Sequence, residues 1–120
     1  MTRAHPFFSI VMPAYNEESG IADTVHAITA AFDGEGIRDY EVLVINDNST
    51  DGTEVVLQRI CAEYPCLRYL NSANPHGYGY TVRYGLDHFA GQAACIVMAD
   101  LFDAPEDIPT YCRLMKRGAG

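Results

Sequence analysis

The sequence predicts an α/β protein with a doubly wound, mostly parallel sheet, built from about four strands and four helices. Four short apolar runs of strand length alternate with amphipathic stretches of helical spacing. Such alternation favours βαβ units and a parallel sheet. The apolar runs are nearly continuous in aliphatic residues, which is typical of parallel strands that are covered on both faces.

Four segments have the composition of strands, and three of them are rich in β-branched residues. The segments are FFSIVM (7–12), VLVI (42–45), LRYL (67–70) and CIVM (95–98). We expect the strand order 3-2-1-4, which leaves the fourth strand at one edge of the sheet. Since an exposed apolar edge favours association between chains, this order also predicts self-association through the fourth strand.

Amphipathic segments predict four helices that follow the strands in turn. Their apolar faces are expected at Ile21, Val25, Ile28 and Phe32; at Leu57, Ile60, Cys61 and Tyr64; at Val82, Leu86 and Phe89; and at Ile108, Tyr111, Cys112 and Met115. Asp51 and Glu54 have the spacing of a capping box at the start of the second helix. Pro105 predicts the start of the fourth helix and Gly118 its end.

Length and charge bound the classes of function. The 120 residues suffice for one domain, and a formal net charge of −8 without a basic patch argues against nucleic-acid binding. The apolar run AACIVMA, residues 93–99, is too short to span a bilayer. The N-terminus lacks a cleavage-site pattern, and the four cysteines lack the spacing of metal ligands. We therefore expect a cytoplasmic protein with buried, reduced thiols.

A polar segment follows each predicted strand. These segments are PAYNEE after the first strand, NDNSTD after the second, NSANPHGYG after the third and ADLFDAPED after the fourth. The carboxyl ends of parallel strands meet at one edge of the sheet, where α/β proteins bind their ligands. One acidic turn could be a helix cap, but four polar turns at the same edge predict a shared ligand crevice.

Two carboxylates in the last of these segments suit a hard divalent cation. Asp100 and Asp103 follow the fourth predicted strand. Mg²⁺ or Mn²⁺ typically takes one or two carboxylates and fills its other positions with phosphate oxygens and water. Such an ion would let a chain of net charge −8 bind a diphosphate. Alternatively, Asp103 caps the helix that starts at Pro105, and Asp100 is a solvated loop residue.

The glycine-rich segment NPHGYGYTVRYG gives little support to binding of a dinucleotide. Gly77 and Gly79 could open a helix N-terminus toward a phosphate. The segment follows the third strand rather than the first, however, and lacks the third glycine of a G-x-G-x-x-G fingerprint. The sequence contains no G-K-[ST] and therefore no P-loop.

Four motifs, taken in order, resemble the N-terminal half of glycosyltransferase family 2. They are SIVMPAYNEE, YEVLVINDNSTDGT, NPHGYGYTVRYGL and CIVMADLFDAPEDI, the last being similar to the segment of the family's D-x-D motif. The family has the GT-A fold and includes enzymes like dolichol-phosphate mannose synthase. The likeness extends from about residue 7 to residue 117. Each motif is weak alone, whereas four in this order and spacing form a strong resemblance.

The resemblance implies a nucleotide-diphosphate sugar, UDP- or GDP-linked, as the donor. The positions that it assigns to the nucleotide are Pro13, Ala14, Tyr15 and Glu17 along the nucleoside, Asp47 at the base, Gly77 and Arg83 near the diphosphate, and Asp100 at the metal. From the residues alone, Asp47 could be an Asx-turn residue and Arg83 a solvent-facing helix residue. Asn46 stands where the family has its first aspartate and keeps hydrogen-bonding capacity without the charge.

The D-x-D segment departs from the family pattern. Met98 occupies the position of the first aspartate and cannot ligate a hard cation well. Asp100 matches the second aspartate, and Phe102 stands where a polar residue often follows. Asp103 could substitute as a ligand, so the resemblance implies a Mg²⁺ or Mn²⁺ site at Asp100 and Asp103.

The resemblance also implies inverting transfer, in which an acceptor hydroxyl attacks the anomeric carbon and a carboxylate base removes its proton. In the family, the base and the acceptor pocket come from the second half of a longer domain. We interpret residues 1–120 as a single nucleotide-sugar-binding domain, truncated relative to the family, with its catalytic base elsewhere. A lipid-phosphate acceptor and a location at the cytoplasmic membrane face follow by analogy. The alternative is a non-catalytic nucleotide-binding or regulatory module of the same fold.

Overall fold

A computed structural model describes residues 6–99 and 105–119, and this part of the chain contains four strands that alternate with four helices. The strands are β1 (Phe8–Ala14), β2 (Tyr40–Asn46), β3 (Leu67–Asn71) and β4 (Ala93–Ile96). The helices are α1 (Ile21–Gly34), α2 (Thr53–Glu63), α3 (Tyr78–His88) and α4 (Asp107–Ala119). The predicted number, type and sequence of elements are confirmed.

The four strands form one parallel sheet in the order β3-β2-β1-β4, which confirms the predicted order. Ala14 pairs with Asn46, and Asn46 pairs with Asn71, so β1, β2 and β3 end at the same level. β4 pairs with β1 only as far as Val11 opposite Ile96. The strand order reverses between β1 and β4, and ligand sites of such folds lie beyond the carboxyl ends at that reversal.

One face of the sheet packs against α1, α2 and α4 and carries the larger apolar cluster. Ile10 and Met12 of β1 are fully buried there against the predicted apolar stripe of α1. Phe32 of α1 stacks on Phe8 and Tyr40, with ring centroids 6.3 and 4.0 Å away. Alternate residues of β1 and β2 point to this face, which is why continuous aliphatic strands can serve two layers of helices.

The other face of the sheet is covered by α3, which packs on Val11, Leu43 and Ile45. The predicted apolar face of α3 is only partly confirmed: Phe89 packs against this cluster, but the buried residues of the helix itself are Thr81 and Gly85. Two small residues bring the helix backbone close to the strands. The larger side chains are therefore pushed to the rim of the contact or into solvent, and Leu86 is 45% exposed.

The predicted capping box of α2 is also wrong. The carboxylate of Asp51 accepts a hydrogen bond from the Thr53 N–H at 2.9 Å and another from the Thr53 hydroxyl. Glu54 does not return to Asp51; its carboxylate accepts from the Tyr69 hydroxyl at 3.0 Å and the Asn71 amide at 2.8 Å. Side chains of β3 therefore replace the local partner that the sequence pattern suggested.

The last two elements differ from prediction at their ends. β4 lies two residues earlier than the segment 95–98, and α4 begins at Asp107 rather than at Pro105 and extends past Gly118. Ile108 and Cys112 are buried as predicted, whereas Tyr111 and Met115 of the same expected face are exposed. None of the helices in the described part of the chain has the length and apolar character needed to cross a membrane.

Candidate functional site

The polar segments that follow β1, β2 and β3 meet at the carboxyl edge of the sheet, as predicted. The Asp47 N–H donates to the Ala14 carbonyl at 2.8 Å, and the Ser72 N–H donates to the Asn46 carbonyl at 3.0 Å. These bonds continue the ladder past the strand ends. The first polar residues beyond β2 are thereby held between the other two segments.

Asn16 joins the segment after β1 to the segment after β2. Its backbone has φ = +52°, in the left-handed region that asparagine tolerates better than most residues. Its side-chain carbonyl accepts from the Thr50 N–H at 2.8 Å and the Asp51 N–H at 3.3 Å. Its own N–H donates to the Ser49 hydroxyl at 3.0 Å. Sequence reasoning missed this residue, although an asparagine just beyond a strand is a recognised turn signal.

Replacing Asn16 with alanine is expected to lower the free energy of unfolding by about 2–3 kcal/mol. Roughly 1 kcal/mol is assigned to each lost hydrogen bond, and about 1 kcal/mol to an alanine in the left-handed region. Urea unfolding followed by circular dichroism measures the change. The control is Asn16→Gly, which loses the same side chain but adopts this backbone conformation freely. Glycine should therefore recover the contribution of about 1 kcal/mol that comes from the left-handed backbone. Equal stability of both variants and the wild type would show that the side chain of Asn16 does not stabilise the contact between the segments after β1 and β2.

Asp47 is a buried carboxylate at this edge, with 4% of its surface exposed. Its Oδ1 accepts from the Asn48 side-chain amide at 3.1 Å. Its Oδ2 accepts from the Gly77 N–H at 3.1 Å and lies 2.8 Å from Nδ1 of His76. A carboxylate just beyond the end of β2 is thus connected to the loop that leads into α3, which the sequence did not predict.

Tyr15 and His76 form a ring pair directly beside Asp47. Their ring centroids are 4.2 Å apart with an interplanar angle of 42°. Tyr15 is 43% exposed and the side chain of His76 is 56% exposed, so both reach solvent. His76 was not among the predicted site residues, because neither a metal-ligand spacing nor a catalytic pattern marks it in the sequence.

Three further predicted positions adjoin this point. Pro13 and Ala14 are buried as the last two residues of β1, so they precede Tyr15 without lining open space themselves. Glu17 begins the turn into α1, where its N–H donates to the Thr53 hydroxyl at 2.9 Å. The structure therefore gathers these residues at one strand end and leaves Tyr15 as the exposed member.

The start of α3 borders a concavity of about 370 Å³ that is lined by Gly77, Gly79, Tyr80 and Arg83. Gly77 has φ = +154°, and a Cβ added there would lie 3.3 Å from Cδ2 of Tyr80, so the position favours glycine. The Gly77 N–H that bonds Asp47 connects the concavity to the buried carboxylate. Both residues predicted near the diphosphate, Gly77 and Arg83, thus line the same space.

The two predicted metal ligands, Asp100 and Asp103, lie outside the described residues. Within residues 6–99 and 105–119, no group of three or more His, Cys, Asp or Glu side chains could hold a metal ion. The chain just before Asp100 is well anchored. The Val97 N–H donates to the Val11 carbonyl at 3.0 Å, and the Ala99 carbonyl accepts from the Thr24 hydroxyl at 2.7 Å.

The cysteines lie away from this edge in the packing of the helices and strands. Cys66 and Cys112 are buried, and Cys61 and Cys95 are partly buried. Burial raises the pKa of the Cys61 thiol. Burial is also the largest cause of the raised pKa of the Cys112 thiol. A raised pKa lowers the fraction of reactive thiolate. These side chains therefore have the properties of packing residues.

Comparison with known proteins identifies relatives over nearly the whole chain. The family model of glycosyl transferase family 2 matches residues 9–120. An uncharacterized glycosyltransferase of Bacillus subtilis, YkcC, is 31% identical over 114 residues, which cover 95% of this chain and 35% of that protein. Undecaprenyl-phosphate 4-deoxy-4-formamido-L-arabinose transferase of Edwardsiella ictaluri is 30% identical over 93% of this chain and 34% of that protein. The chain thus spans about a third of these relatives.

Solved structures show the same fold. The mannosyltransferase PcManGT from Pyrobaculum calidifontis, in complex with GDP-Man and Mn²⁺, matches with a TM-score of 0.75 and 24% identity. The match covers 93% of this chain and 32% of that one. TarS of S. aureus, in complex with UDP-GlcNAc, matches with a TM-score of 0.75 and 22% identity over 92% of this chain and 31% of that one. The sheet and helices described above therefore have the GT-A fold.

Proposed function

The chain belongs to glycosyltransferase family 2, and we propose that it forms the donor-binding part of a glycosyltransferase. The observation that carries the proposal is the buried carboxylate of Asp47 beside the exposed ring of Tyr15, at the edge where this fold binds ligands. The proposed donor is a nucleotide-diphosphate sugar. Neighbours of the same fold bound to GDP-Man and to UDP-GlcNAc support this class.

Asp47 and Tyr15 are the proposed contacts of the nucleobase. Uracil and guanine both present a ring N–H, and an ionised carboxylate only accepts hydrogen bonds, so Asp47 suits either base. Burial at 4% exposure strengthens such a bond, because little water competes for the carboxylate. The exposed face of Tyr15 offers a surface on which a flat base can stack.

The concavity at the start of α3 is the proposed place of the diphosphate. Backbone N–H groups at a helix N-terminus attract anions, and the Arg83 guanidinium can donate two parallel hydrogen bonds to phosphate. We further propose that Asp100 and Asp103 hold a Mg²⁺ or Mn²⁺ ion. When bound, this ion would neutralise the charge that develops on the leaving diphosphate. The net charge of −8 and the Mn²⁺ in the mannosyltransferase complex support a metal.

A lipid phosphate is the proposed acceptor, which would bring the enzyme to the cytoplasmic membrane face. A relative of this chain is a transferase named for undecaprenyl phosphate, which supports this class. The proposed catalytic base lies outside residues 1–120, since the chain spans about a third of its relatives. The residues of this chain then bind and orient the donor.

The test is calorimetric titration with UDP and GDP, each with and without Mn²⁺. Asp47→Asn should weaken binding of the preferred nucleotide about tenfold, because a neutral amide replaces a charge-assisted acceptor. Asp100→Asn should remove the dependence on Mn²⁺. The matched control, Asp87→Asn on the exposed face of α3, should bind like the wild type.

The outcomes of this titration separate the proposed donor site from its alternatives. No heat with either nucleotide would contradict the donor site. Binding that ignores both Mn²⁺ and the attached sugar would favour the alternative, a non-catalytic nucleotide-binding module. Equal affinity of wild type and Asp47→Asn would contradict the role of Asp47 while leaving the family unchanged.

A further inference from the structure

The side chain of His76 has the contacts that the proposed donor site reserves for a nucleobase. Its Nδ1 lies 2.8 Å from Oδ2 of Asp47, and its ring centroid lies 4.2 Å from that of Tyr15. This places a ring nitrogen of His76 directly against the buried carboxylate. A flat heterocycle with a ring nitrogen against Asp47 and one face against Tyr15 fills both proposed base contacts.

We propose that His76 occupies the base position when no nucleotide is bound and that the base displaces it. The inference rests on the proposed function, because it assumes that Asp47 and Tyr15 receive the base. The two occupants compete for the same carboxylate oxygen and the same ring face. His76 therefore lowers the affinity for the donor and shields the buried carboxylate from other ligands.

The imidazole can leave without moving the loop that carries it. The side chain of His76 is 56% exposed, so rotation about its own bonds takes it into solvent. The neighbouring backbone is held by separate bonds. The Gly77 N–H donates to Asp47 at 3.1 Å, and the Asn74 carbonyl accepts from the Asn48 amide at 3.1 Å. Displacement of His76 therefore leaves the start of α3 in place for the diphosphate.

The expected effect on affinity is moderate. One polar contact to Asp47 and one ring contact to Tyr15 favour the position of His76 seen here about fivefold over a solvated one. The apparent dissociation constant is divided by the fraction of molecules in the competent state. His76→Ala should therefore bind nucleotide about sixfold more tightly than the wild type. A histidine that contacted the bound base would give the opposite sign.

Calorimetric titration of UDP and GDP, with Mn²⁺ present, tests the sign. The matched control is His88→Ala, because His88 also stacks on a tyrosine, Tyr84, with centroids 4.3 Å apart, but lies at the other end of α3. We expect tighter binding for His76→Ala and no change for His88→Ala. Unchanged or weaker binding by His76→Ala overturns the proposed competition between His76 and the base and leaves the donor site unaffected. Absence of binding in the wild type and in both variants overturns the donor site and the displacement of His76 together.

Proton NMR of the histidine rings tests the contact itself. The Tyr15 ring should shift the His76 signals in the free protein, and Tyr15→Ala should abolish that shift. The signals are identified by their loss in His76→Ala. Saturating nucleotide should return them to the values of a solvated imidazole. Signals that stay unchanged while calorimetry records binding would overturn displacement and leave nucleotide binding intact.

Discussion

Replacing Gly85 with valine is expected to lower the free energy of unfolding by more than about 3 kcal/mol, and alanine there by about 1–3 kcal/mol. A Cβ added at Gly85 would lie 2.3 Å from Cγ1 of Val11 and 3.2 Å from Cγ1 of Ile45. Both neighbours are fully buried. Val11 belongs to β1, which is paired on both sides, so it cannot retreat without breaking the sheet. The loss would be a large part of a typical stability of about 5–15 kcal/mol.

The matched control is Gly79→Ala on the same helix. No atom of the described residues lies within 4 Å of a Cβ at Gly79. Alanine should therefore stabilise α3 by up to about 1 kcal/mol through its better helix propensity. Urea unfolding at fixed pH compares the variants. Opposite signs at Gly79 and Gly85 are expected, and a gain in stability with Gly85→Ala would show that α3 packs further from the sheet.

The same glycine explains which part of the fold could be predicted. The strands and α1 were found because their buried positions carry large aliphatic residues, which periodicity detects. α3 packs through residues that are buried because they are small, and hydrophobic periodicity gives them no weight. The pattern therefore selected Val82, Leu86 and Phe89, while the close approach at Gly85 depends on the position of Val11, far away in sequence.

The sequence predicted the position of the candidate site in the fold but only some of its residues. A polar turn after every strand was enough to locate the edge, and an acid at the end of an aliphatic strand pointed to Asp47. Asn16 and His76 were missed because their roles come from contacts between loops. Asn16 bonds Thr50, and His76 meets Tyr15 and Asp47, only after the strands have aligned. A one-dimensional pattern carries no information about such pairs.

Glu41 is another residue whose environment the sequence did not reveal. It is the centre of a buried polar cluster near the amino-terminal ends of β1 and β2, away from the candidate site. Glu41 is 6% exposed and follows the first residue of β2. Its carboxylate accepts from the Ser9 hydroxyl at 2.6 Å, the Arg68 Nε–H at 2.8 Å and the Ala90 N–H at 2.7 Å. The cluster ties the loop after α3 to three strands. Its role is therefore in stability rather than in the candidate site.

Replacing Glu41 with glutamine is expected to cost about 2–3 kcal/mol at pH 7, because hydrogen bonds to a charged acceptor are exchanged for weaker ones and one donor is left facing an amide N–H₂. Burial by itself raises the pKa of Glu41, but hydrogen bonds from Arg68, Ser9 and the Ala90 N–H outweigh it and lower the pKa below 4.5. As the pH falls, Glu41 therefore takes up its proton at a higher pH in the unfolded chain than in the folded protein. The contribution of Glu41 is fully present above pH 4.5 and disappears as the pH falls through the folded pKa.

Urea unfolding of wild type and Glu41→Gln between pH 7 and pH 3 should thus give a stability difference that is constant at high pH and shrinks in acid. Glu63→Gln, an exposed position on α2, is the matched control and should differ little from the wild type at every pH. A difference for Glu41→Gln that persists unchanged in acid would assign its cost to packing rather than to charge. Where the variant remains folded, it should keep the wild-type affinity for nucleotide, because the cluster and the donor site lie at opposite ends of β1 and β2.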